Sequence, residues 1–198
     1  MNVRFRPAGL VALALLILLS PLLLLLAVVI ALCMGRPVLF RQMRSGQGGR
    51  PFQMVKFRTM RDLVDAQGVP LPDAERVTAL GLFLRRSRLD ELPELINIWR
   101  GEMDFVGPRP LLPQTIEALR EDGVKRGALR PGLTGLAQVS GNTLLTVEEK
   151  LHLDLRYVRT RSWRLDSWII ARTLLVVIGG EKRINWHVDE ARPPYRGG

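Results

Sequence analysis

The sequence is poor in residues that usually mark a site. In 198 residues it has one cysteine, two histidines and two tyrosines. Cys33 has no partner for an intramolecular disulfide, so the fold is expected to need no oxidising compartment. Inside an apolar run, it reads as a small buried hydrophobe. His152 and His187 stand apart from any nucleophile in sequence, and no HExxH or CxxC pattern occurs. Zinc-ligand spacing, an aromatic-rich RNA-binding signature and a recognition helix are also missing, so no nucleic-acid partner is expected. Acidic residues are scarce too: 19 against 29 basic ones, a formal net charge of +10. Any chemistry must therefore rest on carboxylates and arginines. An arginine excess suits bidentate capture of phosphate, or an anionic membrane surface.

What is present in excess is apolar sequence, and it is concentrated. From Ala8 to Met34 there is no charged residue. The run exceeds the ~7–15 residues of a signal-peptide core, and no clean small-x-small cleavage site follows it. A span needs ~20 apolar residues, so length permits one. Two features complicate a straight span. Ser20-Pro21 falls near the middle, where proline removes a backbone donor and bends a helix. Arginines also flank both ends, Arg4 and Arg6 before, Arg36, Arg41 and Arg44 after, which by the positive-inside rule places both ends on the cytoplasmic side. A re-entrant helix satisfies both features, with the Ser20 hydroxyl bonding a preceding carbonyl at the bend. A kinked span stands beside it on the residues alone, since proline is tolerated in spanning helices.

The length suits one compact domain. Pro37–Phe40 and Phe52–Phe57 read as strands joined by a turn at Ser45–Gly49. That glycine-rich turn lacks the P-loop pattern, so a plain hairpin is expected. Positions 62–76, with Gly68, Pro70 and Pro72, read as a surface loop. Thr78–Arg86 reads as a helix with Leu80, Phe83 and Leu84 on its apolar side, and Leu92–Trp99 as another burying Leu95, Ile96 and Trp99. Gly107–Pro113 is held extended by its prolines. Thr146 and Glu149 form a capping-box pattern ahead of a helix. Leu165–Ile178 is apolar, with Trp163, Trp168 and several arginines about it, which fits a helix in a membrane interface as well as a core helix. The tail from Gly179 reads as irregular.

The densest chemical cluster is Arg85-Arg86-Ser87-Arg88-Leu89-Asp90-Glu91-Leu92-Pro93. In a purely structural reading Ser87 caps a helix and Asp90 completes a capping box. Pro93 argues for regular helix from about Leu92, with Asp90 and Glu91 at its entrance. In a functional reading that entrance suits a phosphate ester, and an ionised Asp90 can attack phosphorus or bind Mg²⁺. Arg109, on the rigid Gly107-Pro108-Arg109-Pro110 backbone, suits a phosphate fork.

These blocks resemble the signature of the bacterial sugar transferase family, the monotopic phosphoglycosyl transferases. The resemblance runs from Lys56-Phe57-Arg58-Thr59-Met60 through Arg85–Leu95 and Gly101–Pro110 to Arg130–Val139, in order along nearly the whole chain. It implies transfer of a sugar-1-phosphate from a UDP-sugar to a polyprenyl phosphate, commonly undecaprenyl phosphate, with release of UMP. Asp90 is then the nucleophile that carries the phosphosugar and a Mg²⁺ ligand, and Glu91 holds or deprotonates the second substrate. Lys56, Arg58, Arg85, Arg109 and Gln138 would bind substrate. Ser20-Pro21 matches the family's break in a re-entrant membrane helix. The fold implied is α+β and mostly helical: a re-entrant helix over 1–35, then over 36–198 a small cytosolic, membrane-associated domain with a short β-hairpin and interfacial amphipathic helices. The chain resembles the family's minimal catalytic form. Its partners would be UDP-sugar, polyprenyl phosphate and the bilayer of the bacterial inner membrane, and a homodimer is compatible with the sequence. One departure stands out. Family members often carry Arg-Asn after the glycine that is Gly141 here, and this chain has Asn142-Thr143.

Overall fold

The computed structural model describes residues 6–184, so Arg4, His187 and the end of the tail lie outside the described residues. The chain is mostly helical, with two two-stranded sheets. It opens with two helices, α1 (Pro7–Leu18) and α2 (Ser20–Met34), bent by 63° at Leu19. Pro21 lies in the first turn of α2, where its missing N–H costs nothing. The Ser20 hydroxyl donates to the Ile17 carbonyl at 2.7 Å, so the bend is satisfied locally. No single described helix is long and apolar enough to cross a membrane, although the bent pair together meets that length and composition.

Strands β1 (Leu39–Ser45) and β2 (Pro51–Phe57) form the antiparallel hairpin, paired from Leu39–Phe57 to Ser45–Pro51. β1 begins two residues later than expected, because Pro37 has no N–H for a ladder and Val38 uses its carbonyl to accept from Arg58 N–H. The segment 62–76 is a loop closed by a Val64–Pro70 bridge and one short turn, α3 (Asp73–Arg76). Helix α4 (Ala79–Arg86) is capped by Thr78, whose hydroxyl accepts from Gly81 N–H. A 3-10 segment (Leu89–Glu94) runs straight into α5 (Leu95–Trp99). Then come β3 (Asp104–Val106), α6 (Pro113–Ala118), α7 (Arg120–Arg126) and β4 (Gly132–Thr134), which pairs parallel with β3. Helices α8 (Leu136–Val139), α9 (Val147–Thr160) and α10 (Trp163–Gly179) complete the fold, and Thr146 and Glu149 make the expected capping box on α9.

Three apolar clusters hold these parts together. Ala12 of α1 packs with Phe52, Met54, Leu95, Ile98 and Met103. Leu26, Ile30 and Met34 of α2 pack with Phe57 and Leu84. Val106, Leu136, Val139, Leu153, Tyr157 and Ile169 form the third. Burying each such side chain stabilises by roughly 1.5–3 kcal/mol. The N-terminal helices thus rest on the domain by one face only. Their other face is exposed and apolar, with Leu18 at 73% and Leu32 at 81%. Cys33 is on that exposed side, not buried as its residue type suggested.

Two helix faces are phased differently from the sequence pattern. Winding through the 3-10 segment delays α5 to Leu95, so Ile98 takes the buried position beside Leu95 and Trp99 faces outward, half exposed. Of the three apolar residues expected on the buried side of α4, Leu84 is fully buried, Leu80 is partly buried and Phe83 is 57% exposed. Asn97 does what a third strand would do for β2. Its side chain accepts from Val55 N–H and donates to the Gln53 carbonyl and to Glu102, pinning α5 across the hairpin.

Candidate active site

Ser87 does not start the acidic segment as an N-cap. It closes α4 instead, its hydroxyl donating to the carbonyls of Phe83 and Leu84. Arg88 then turns the chain with φ 58°, a left-handed conformation that arginine seldom adopts. This tight corner tips Asp90 and Glu91 into the first turn of the 3-10 segment, and both are buried.

Six of the residues singled out in the sequence converge here. Lys56, Arg58, Arg85, Asp90, Glu91 and Arg109 line one cleft of about 1200 Å³. Lys56, on β2, places its ammonium 2.8 Å from Glu91 and 3.0 Å from Glu94. Arg109 and Arg88 approach Glu91 at 3.3 and 3.5 Å. Burial pushes the Glu91 carboxyl up, but Lys56, Arg109 and Arg88 outweigh it and hold the group well below the usual carboxylate range. Asp90 behaves oppositely. Burial and then the neighbouring Glu91 charge raise its pKa, against the opposing pull of Lys56, Arg85 and its own backbone N–H. Its Oδ1 is buried and makes no hydrogen bond.

Supports of differing kinds fix the basic residues. Arg85 donates from Nε to Thr59, and the backbone there meets α4 so closely that a Cβ on Gly81 would fall 1.9 Å from the Thr59 carbonyl oxygen. Arg58 faces the cleft, yet its guanidinium is fastened to the Met34 carbonyl and to Asp62. Arg109 is held through its backbone: Arg126 donates to its carbonyl while pairing at 2.8 Å with the buried Asp154 of α9. Gln138 is set apart from the acidic pair. It is buried on α8, donates to the Leu133 carbonyl, has a buried Oε1 without a hydrogen bond, and lines a second cleft of about 350 Å³. That cleft is apolar, running between the 3-10 segment and α10, and it shares Arg88 and Glu91 with the first.

Sequence reasoning did not single out Glu94 or Arg88 as site residues. Glu94 has hardly any exposed surface, and burial, followed at some distance by the Glu91 charge, raises its pKa although Lys56 opposes the shift. The signal was available: a third acid one turn after Asp90, on the same side as Glu91. Arg88 was hidden by its neighbours, since four residues of the cluster are arginine or serine and only the left-handed turn distinguishes it.

A buried carboxylate with one unpaired oxygen, in a cleft lined by lysine and arginines, suits transfer of a phosphoryl-type group. Comparison with known proteins agrees. Residues 8–180 match the family described as bacterial sugar transferase. The chain is 41% identical over 153 residues to the uncharacterized sugar transferase EpsL of Bacillus subtilis, covering 77% of this chain and 76% of that one. It is 41% identical over 184 residues to a UDP-glucose:undecaprenyl-phosphate glucose-1-phosphate transferase of Caulobacter vibrioides, covering 87% and 69%. A protein of the same name from Xanthomonas campestris is 42% identical over 171 residues, which span only 35% of its length. The chain belongs to the bacterial sugar transferase family, and it is a phosphoglycosyl transferase by class.

The raised pKa of Glu94 has a consequence for stability. A carboxyl that holds its proton more tightly when folded costs stability as pH rises from the unfolded pKa through the folded one. Glu94→Gln is therefore expected to melt at a higher temperature than the wild type at pH 8. At pH 4, where the wild-type group is largely protonated, the two are expected to melt together. Equal melting temperatures at both pH values would refute the assignment.

Proposed function

We propose that this enzyme moves a sugar-1-phosphate from a UDP-sugar to a polyprenyl phosphate such as undecaprenyl phosphate, forming polyprenyl-diphosphate-sugar and UMP. This is the first membrane step of glycoconjugate assembly. The observation that carries the reading is the buried, unpartnered Oδ1 of Asp90 in a cleft lined by Lys56, Arg58, Arg85, Arg88 and Arg109. Asp90 attacks the phosphorus that bears the sugar, and the bond to the UMP phosphate oxygen breaks with its electron pair leaving on UMP. A phosphate oxygen of the polyprenyl phosphate then attacks the same phosphorus, and the bond to Asp90 breaks to restore the carboxylate. Fixed cations stabilise charge on the transferring group without reorganising during the reaction. Glu91, held below the usual carboxylate range by its three cations, is a weak base at neutral pH. Its part is to hold those cations in register for the second substrate.

Mg²⁺ fits this site. Asp90 Oδ1 is an unsatisfied hard oxygen, and Mg²⁺ takes one or two carboxylates together with water and substrate phosphates. No cluster of three or more potential ligands occurs among the described residues, so Asp90 would be its protein anchor. Bound there, the ion would supply charge neutralisation on the diphosphate.

The bent α1–α2 pair is, in this reading, a re-entrant hairpin in the cytoplasmic membrane, with the remainder on the cytoplasmic face. The outward apolar residues of α2 and of α10, where Trp163 is 74% and Ile178 86% exposed, support it. The polyprenyl chain then lies in the apolar cleft beside α10 while its phosphate reaches Arg88 and Arg109, the cations held by Glu91, in the polar one. The relatives named for UDP-glucose and undecaprenyl phosphate support the substrate classes.

UMP release is the direct assay. With Mg²⁺, UDP-sugar and polyprenyl phosphate, the wild type is expected to release UMP, and Asp90→Asn to lose about a thousandfold or more in rate. Undiminished release by a pure Asp90→Asn protein rejects Asp90 as the nucleophile. For the hairpin, Arg6→Cys and Arg36→Cys variants in a Cys33→Ser background should both be labelled from the cytoplasmic side. Labelling from opposite sides would mean a span.

A further inference from the structure

Beyond α10 the chain turns at Gly180 and runs as a short strap from the polar cleft, which Gly180 and Glu181 line, to Ile184. Ile184 N–H donates to the Ser140 carbonyl at 2.9 Å, Arg183 pairs with Glu149, and the strap backbone passes tightly over Gly141. A Cβ at Gly141 would stand 3.2 Å from the Arg183 Cα, and Gly141 itself has φ +139°. The strap brings Glu181 into the cleft.

The Glu181 carboxylate is fully engaged. One oxygen accepts from Asn142 Nδ2 at 2.6 Å and from Arg88 Nη2 at 3.2 Å. The other accepts from the Thr143 N–H at 3.1 Å and from the Thr143 hydroxyl. Three of these four bonds come from Asn142 and Thr143, so the carboxylate is fixed whether or not Arg88 is present. Arg88 has less support. It sits on a left-handed backbone, and among the described residues its guanidinium has two side-chain partners, Glu181 on one nitrogen and Glu91, at 3.5 Å, on the other. Arg88 is thus a bridge, anchored at Glu181 and reaching the acidic pair at Glu91.

We infer that Glu181 is a positioning residue for the transfer reaction: anchored by Asn142 and Thr143, it holds the Arg88 guanidinium against Glu91 at the junction of the polar and apolar clefts. The inference rests on the function proposed above. It also gives the Asn142-Thr143 pair, where this chain departs from the Arg-Asn common in the family, a local purpose. An arginine at 142 would compete with Arg88 for the same carboxylate, whereas the asparagine amide and the threonine hydroxyl brace it. A planar guanidinium held at both ends loses little freedom when a phosphate arrives, so the benefit falls on turnover more than on ground-state binding.

The test is steady-state UMP release by the full chain, in a double-mutant cycle of Glu181→Gln with Arg88→Met. Glu181→Gln keeps an acceptor for Thr143 and removes the charge that anchors Arg88. It is expected to lower kcat about tenfold with KM for the UDP-sugar changed less than about threefold. In the Arg88→Met background the same change is expected to cost nothing further. Glu181→Asp, which keeps the charge on a shorter arm, is expected to recover part of the rate. Losses that multiply in the double variant, or a Glu181→Gln enzyme as fast as the wild type, overturn the inference. A fall in melting temperature shared by Glu181→Gln and Glu181→Asp, with rate tracking the folded fraction, also overturns it by assigning Glu181 to stability alone. A wild-type protein that releases no UMP would instead reject the proposed function itself.

Discussion

One ammonium group shared by two buried carboxylates sets the terms for the rest of the site. Lys56 stands within 3.0 Å of both Glu91 and Glu94, and both acids are almost fully buried. Holding an ionised carboxylate out of water costs several kcal/mol unless opposite charge is close. Glu91 takes most of that charge, with Arg88 and Arg109 added to Lys56, and is left strongly ionised. Glu94 receives a smaller share and is pushed the other way. Asp90 receives no hydrogen bond on Oδ1, although Lys56 and Arg85 lie close enough to temper its shift. Lys56, Arg88 and Arg109 are committed to Glu91, and the Oδ1 of the adjacent Asp90 is left without a hydrogen bond in the same cleft.

The fold serves this allocation by bracing each cation from a different element. Lys56 is on the hairpin, which Asn97 ties to the segment that carries the acids. Arg109 depends on the buried Asp154–Arg126 pair, one helix layer away, through a bond to its main-chain carbonyl. Breaking such a pair by removing one partner typically costs about 3–5 kcal/mol, because the survivor is left buried and uncompensated. Arg88 takes its support from the strap after α10. Three separate supports, from the hairpin, the α7–α9 pair and the strap after α10, therefore brace the cations around Glu91, which is why this short acidic segment needs most of the chain around it.

How much of this could be read in the sequence depended on whether the relevant signal was local. The hairpin, the break at Ser20-Pro21 and the Thr146 capping box come from neighbouring residues, and the structure contains all three. The helix after Pro93 was placed three residues early, because a 3-10 turn keeps helical spacing in sequence while rotating the buried face. Ser87 looked like a cap for the wrong helix for a similar reason, as a serine between two helices suits the end of one as well as the start of the next. For the cleft, residue type and order brought out Asp90, Glu91 and Arg109, and the family resemblance added Lys56, Arg58 and Arg85; the fold gathers all six together. Gln138 lies in the apolar neighbour instead. Long-range partners left no trace in the pattern: Asp154 for Arg126, and Glu181 for Arg88, are separated by 28 and 93 positions.

The account turns on whether Asp90 becomes covalently loaded. Intact-protein mass spectrometry after incubation with Mg²⁺ and a panel of UDP-sugars, with no lipid acceptor present, reads that state directly. The account predicts a mass gain of one phosphosugar with at least one donor, absent from Asp90→Asn. No gain with any donor, from a protein that releases UMP as soon as polyprenyl phosphate is added, would mean direct transfer between substrates and would contradict it.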